Sequence, residues 1–288
     1  MTTRRKLFQI SGGALAAAMI GSKVGAQVGT PGATPQVEIG DISVLPLKEP
    51  GKFIVHTDEP AYEPWVFDDD PSNGKGFESA LIYAIADRLG FEKEQVEWGR
   101  TSFNASFAPG PKPFDAYLAQ VSITPERARA VGFSIPYVKG QLAVIANEGS
   151  PVLEAETLAD LAKFKWGTQV GTIYYSYIEE FIKPEQDILV FDTNVDSLTA
   201  LDNGTVDAGI QDLQIAFYVT EVQFPTMEIA GALPAKGSGG GSGLVTDKES
   251  ELIPYLNSAI VALQNDGTLQ GLFDEYLAPP ADMKTFAE

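Results

Sequence analysis

The stretch Ser122–Tyr137 reads SITPERARAVGFSIPY, and its first residues lay out a strand end, a turn and the start of a helix. Thr124 can accept from a free amide and Pro125 has no amide to leave unpaired, so the two suit the cap and first position of a helix. Glu126 then favours the positive end of the helix dipole. Arg127 does not, since a cation in the first turn opposes that dipole by about 0.3–1 kcal/mol. Either a surface acid or an anion from outside the chain can be its partner, and spacing alone leaves both open.

Outward from this stretch, strand and helix patterns alternate. Residues 52–57, KFIVHT, are β-rich and end at Asp58. GFESALIYAIADRLGF follows, with Phe77, Leu81, Ala84, Ile85 and Leu89 on one helical face and Gly90 closing it. FDAYLAQVSI is a second strand feeding the helix at Thr124, and QLAVIAN a third. ETLADLAKF reads as a short helix, KWGTQVG as a strand and TIYYSYIEEFI as a helix. DILVFD and VDAGIQD are strands with the helix VDSLTALDNG between them. The alternation predicts parallel sheets covered by helices, with binding sites at the C-terminal ends of strands. PFDAYLAQ and TVDAGIQD each carry an Asp-Ala pair entering an apolar strand, a sign of two like-built halves. The tail KESELIPYLNSAIVALQNDGTLQGLFDEYL gives one or two amphipathic helices with a break at Asp266-Gly267.

Composition narrows the function. The 288 residues carry 39 acidic and 20 basic side chains, a formal charge of −19. That balance opposes nucleic acid and anionic membranes, whose phosphates are bound by Lys and Arg. There is no cysteine, which excludes thiol catalysis, zinc–thiolate sites, iron–sulfur clusters, disulfides and a lipid anchor on an N-terminal cysteine. The single histidine, His56, leaves no histidine cluster for a metal and speaks against a Ser-His-Asp triad; it reads as a plain strand residue. No cofactor and no metal are expected.

Residues 1–26 read as an export signal: a basic start, a modestly apolar stretch from about Ile10 to Ile20, then Val24-Gly25-Ala26 at the cut. Thr3-Arg4-Arg5-Lys6-Leu7-Phe8 is similar to a twin-arginine signal, which carries proteins already folded. The apolar part is short and rich in Gly and Ala for a membrane span. Residues 27–50, rich in Pro and Gly, read as a linker with at most one short strand.

Taken in order, VHTDEPAYEPWVF, GKGFESALIYAIADRLG, FDAYLAQVSITPERARAVGFSIPY, VGT before a helix, VDAGIQD and NDGTLQGLFDEYL resemble the extracellular solute-binding proteins, family 3, of polar amino-acid importers, over roughly residues 50–278. The resemblance implies an α/β fold of the two-lobed periplasmic-binding-protein kind (type II) with two hinge crossovers, lobe 1 being 51–140 plus 238–279 and lobe 2 being 141–237. It implies a periplasmic or extracellular monomer that closes over one free amino acid and delivers it to an ABC permease, with no enzymatic activity. Two other readings on the same scaffold are a cyclohexadienyl dehydratase-like enzyme, with Glu59, Glu63 or Glu78 as the acid, and a sensor without transport.

The same resemblance assigns residues. Arg127 would grip the ligand's α-carboxylate with its rigid, forked guanidinium, and Ser122 would bond the same group. Thr172, opening the TIYYSYIEEF helix, would either meet the anion or cap the helix. Asp212 would accept from the α-ammonium, whereas Asp207 enters its strand and reads as structural. Asp58, Tyr62, Trp65 and Phe103 would face the ligand, two of the three rings touching it. Gln120 stands where the family is small or hydroxylated, and would fill part of the cavity or bond the ligand side chain. Glu78 stands where the family has Asp and Ala80 where a second acid is common; Asp58 with Glu78 favours a cationic or polar side chain. GSGGGSG at 237–243 falls on the returning hinge strand, and as composition also suits an exposed loop or an inserted linker.

Overall fold

The computed structural model describes residues 37–236, 241–277 and 283–288; the export signal and the first part of the linker lie outside them. The first lobe opens with β1 (Phe53–Thr57), followed by α1 (Phe77–Leu89), β2 (Val96–Arg100), α2 (Phe103–Ser106), β3 (Ala116–Tyr117), α3 (Pro125–Ala130) and β4 (Gly132–Phe133). The second contains β5 (Leu142–Asn147), β6 (Trp166–Gln169), α4 (Ile173–Tyr177), β7 (Leu189–Phe191), α5 (Asn194–Asp202), β8 (Ala208–Asp212), α6 (Leu213–Tyr218) and β9 (Met227–Ala232). The chain then returns to the first lobe through β10 (Val245–Thr246), α7 (Ile253–Asn265) and α8 (Thr268–Tyr276).

Two five-stranded sheets result, ordered β2-β1-β3-β10-β4 and β7-β6-β8-β5-β9. Each is parallel at one side and antiparallel where a strand linked to a crossover enters: β10 runs against β3 and β4, and β5 against β8 and β9. The all-parallel expectation is corrected accordingly. The two Asp-Ala pairs do the same work in both halves. Asp115 accepts from Ile54 N at 2.9 Å and Asp207 from Lys165 N at 2.9 Å, lashing β3 to its parallel neighbour β1 and β8 to its parallel neighbour β6.

Helix α1 buries Phe77, Leu81, Ile82, Ile85 and Leu89 completely, each side chain contributing about 1.5–3 kcal/mol. It ends where Gly90 takes the left-handed conformation, at φ 94°. ETLADLAKF forms turns instead of a helix. The Asp160 carboxylate accepts from the amides of Glu156 and Thr157 and from the Thr157 hydroxyl, which satisfies the backbone locally. Residues 37–50 are not a free linker. Leu45 is buried in the first core, Lys48 N donates to Asp115 at 2.8 Å, and Lys48 Nζ pairs with Asp247 at 2.6 Å.

The crossovers lie side by side. Tyr137 N donates to Ser242 O and Ser242 N to Val138 O, both at 2.9 Å, while Ile123 N donates to Gly241 O. Gly241 is required here: its φ is +90°, and a Cβ would stand 2.6 Å from Val138 O. Of the Gly-rich run, residues 241–243 therefore belong to the hinge, and 237–240 lie outside the described residues. Beyond the two expected crossovers, the last residues add a passage. Thr285 pairs with Ala232 and Ala287 with Thr157, and Phe286 is buried in the second lobe's core.

Candidate functional site

A cavity of about 350 Å³ lies between the sheets, at the C-terminal ends of β1, β6 and β8. Ser122, Arg127, Thr172, Asp212, Asp58, Tyr62, Phe103 and Gln120 all line it. Trp65 does not. It is 1% exposed and meets Phe77 edge-on at 5.5 Å, so the expectation that it faces a ligand is corrected: the indole is core.

Arg127 is placed by the turn that precedes it. The Thr124 hydroxyl accepts from Arg127 N at 3.2 Å, and Pro125 takes the first helical position. The side chain, 7% exposed, donates to Ser122 O at 2.7 Å and to Gly171 O, in the second lobe, at 2.8 Å. Its guanidinium carbon lies 4.4 Å from the Phe107 ring centre and 5.4 Å from that of Phe103. No described carboxylate is within ion-pair distance of it. Burial pushes its pKa down to about 10, so it stays cationic at neutral pH.

Asp212 ends β8 in the second lobe. Its carboxylate accepts from the Tyr174 hydroxyl at 3.1 Å and pairs with no described cation. Burial pushes its pKa up to about 6. Thr172 stands at the N-cap of α4 without capping it, its hydroxyl donating instead to Gln169 O at 2.9 Å. The cavity thus holds an unneutralised cation and an unneutralised anion from different lobes.

Asp58 leaves β1 and accepts from Phe103 N at 3.0 Å. Its exit loop is held by Arg100, whose guanidinium donates to the carbonyls of Asp58 and Asp69 and pairs with the Asp69 carboxylate at 2.9 Å. Tyr62, on the same loop, also lines the cavity, and burial pushes its hydroxyl up to about 12.

Gln120 adopts a left-handed backbone, φ 52°. Its Nε2 donates to Glu78 Oε2 at 2.7 Å and its backbone N to Oε1 at 2.8 Å, and the Tyr137 hydroxyl also donates to Oε1. Burial pushes Glu78 up to about 7. Glu78 sits behind Gln120 and does not line the cavity, so the inference that it helps choose the ligand is corrected; its donors are within the protein.

Tyr174, Asn194 and Gln211 also line the cavity and were not among the sequence candidates. Tyr174 and Asn194 carry no distinctive signal, being polar groups at helix starts. Gln211 does carry one, an amide within the otherwise apolar AGI-Q run. Among the described residues no group of acidic and histidine side chains could hold a metal, and no helix is long and apolar enough to cross a membrane.

Residues 54–279 match the bacterial extracellular solute-binding proteins, family 3, and the chain belongs to that family. It is 29% identical over 234 residues to the L-cystine-binding protein TcyJ of Escherichia coli (strain K12), covering 80% of this chain and 84% of that one. Among solved structures, an ancestral arginine-binding protein bound to arginine superposes with a TM-score of 0.63 at 27% identity, over 79% of this chain and 99% of the other. The ancestral amino acid-binding protein AncCDT-1, a precursor of cyclohexadienyl dehydratase, gives 0.63 at 26%, over 79% and 96%.

Proposed function

We propose that this protein captures one free amino acid outside the cytoplasm and hands it to an ABC permease. The observation that carries the reading is Arg127: a buried guanidinium on a cavity wall, bonded only to two carbonyls and two aromatic faces, with an unpaired Asp212 in the other lobe. A zwitterion supplies both missing partners at once. Its carboxylate meets Arg127 with Ser122, and its ammonium, with three N–H donors, meets Asp212. Because the two ends touch different lobes, the ligand favours the closed arrangement over an open one. A micromolar affinity requires about −8 kcal/mol, within reach of two charge-assisted clamps and an aromatic contact from Phe103 or Tyr62. Residues 1–26 act as a twin-arginine export signal in this reading, and the released protein works as a monomer.

The dehydratase reading gains nothing from its three acids. Glu59 is exposed at the rim, Glu63 lines a separate groove, and Glu78 is occupied by Gln120 and Tyr137. A thermal-shift screen of the common amino acids and opines, followed by calorimetry on the hits, tests the function. Stabilisation by one or a few of them is expected; no response to any α-amino acid would overturn it.

A further inference from the structure

Gly171 follows β6 in the second lobe, and two groups of the first lobe converge on it. One is Arg127, whose Nη2 donates to Gly171 O at 2.8 Å. The other is Asn104, from α2. A Cβ at position 171 would stand 2.2 Å from Asn104 Oδ1, 3.2 Å from Asn104 Cγ and 3.6 Å from Phe107 Cζ. The first two distances leave no room for a carbon, so only a glycine admits this approach. The Asn104 oxygen is itself buried, with no hydrogen-bond partner among the described residues. Gly171 does not line the cavity.

The backbone that carries Asn104 is held on both sides. Phe103 N, one residue before it, donates to Asp58 Oδ1 at 3.0 Å. Just after it, Ala105 O accepts from Lys112 Nζ at 3.2 Å, and Ala108 O accepts from the same ammonium. That lysine is 6% exposed, and its own amide donates to Asp247 at 2.7 Å. The short helix is thus pinned at both ends, with Phe103 and Phe107 facing the Arg127 guanidinium. A methyl group at position 171 would press on this fixed part of the first lobe. Parting the lobes here relieves the pressure and draws Gly171 O away from Arg127.

We propose that Gly171 is a positioning residue for ligand capture: its bare Cα lets α2 of the first lobe seat against the second lobe, and that seat brings Gly171 O onto Arg127. The proposal rests on the reading of the protein as an amino-acid binder. A protein whose closed arrangement is less populated binds more weakly in proportion, with no ligand contact removed. Calorimetry with the common L-amino acids and L-cystine tests this in wild type, Gly171→Ala, Asn104→Ala and the double variant, read with the amino acid that binds wild type most tightly. Gly171→Ala is expected to raise Kd about tenfold or more. Removing the Asn104 amide clears the methyl group, so the double variant should bind within about threefold of Asn104→Ala. An alanine at φ +78° is strained whatever its neighbours, and that strain acts equally in both backgrounds. Losses that add, or a Gly171→Ala Kd within about threefold of wild type, overturn the proposal and leave amino-acid capture standing. Should thermal melting show that Gly171→Ala does not fold, Asn104→Leu fills the same gap from the first lobe. Its Kd is expected about tenfold above that of Asn104→Ala, and equal values overturn the proposal. If no α-amino acid binds wild type, the proposal falls together with the reading beneath it.

Discussion

Replacing Arg127 by Met separates the two things a buried cation does. Within the protein the guanidinium is 7% exposed and is repaid by two carbonyls and two rings, without a described carboxylate. Methionine is similar in reach and apolar, and it suits the faces of Phe103 and Phe107. It forfeits the two charge-assisted bonds but removes the desolvation burden, so the unliganded melting temperature should change by the equivalent of about 1 kcal/mol or less. The liganded state behaves oppositely. Its carboxylate enters the cavity and finds no cation, and losing one partner of a buried pair costs about 3–5 kcal/mol. At about 1.4 kcal/mol per decade, Kd rises between a hundredfold and several thousandfold. Calorimetry with the strongest hit of the amino-acid screen, alongside melts with and without that ligand, reads both effects. The expected result is an almost unchanged unliganded melt and a vanished ligand-induced shift. A Kd within threefold of wild type would refute the assignment. Arg127→Lys keeps the charge but loses the fork, and should still weaken binding by tenfold or more.

Ligand affinity should fall as pH drops below about 6, because an ammonium needs the ionised form of Asp212, whose pKa burial raises to about 6. Calorimetry at pH 5, 6 and 7.5 checks this, and a flat profile contradicts it. Unliganded stability runs the other way: the folded protein holds protons on Asp212 up to about 6 and on Glu78 up to about 7, where the unfolded chain has released them. These two groups therefore make stability decline as pH rises through the windows from their ordinary values to those limits, which melts across pH 4.5–7.5 will detect. Gly241→Ala drives a Cβ against Val138 O and should lower stability by about 1–3 kcal/mol, read by urea unfolding. Phe286→Ala empties a place in the second lobe's core and should cost about 3–5 kcal/mol in the same assay.

Local signals carried far where a residue's own chemistry decided its place. Thr124-Pro125 marked the start of α3, Gly90 the end of α1, and the two Asp-Ala pairs the matched strands of both sheets. The opposed dipole at Arg127 likewise pointed to an interaction beyond its own helix. Signals failed where distant parts of the chain decide. Only Ala116 and Tyr117 of FDAYLAQVSI form β3, because Gln120 turns left-handed to reach Glu78, forty-two positions away. The antiparallel strands follow from the path of the crossovers, which no local period records. Trp65 was indistinguishable from Tyr62 as an aromatic on one loop; only the packing against Phe77 separates core from cavity. Gln211 stood out in its strand, yet the partner of its amide, Asn194, lies seventeen positions away.

The final passage of the chain has a mechanical consequence. Leu277 is tied to the first lobe's helices and also accepts from Gln214, while Phe286 is plugged into the second lobe. Seven Cα-to-Cα steps separate Leu277 from Lys284, which bounds their separation at roughly 25 Å. Any gaping of the two halves must therefore halt when this leash is taut, however supple the glycines beside Ser242, or else pull Phe286 from its socket.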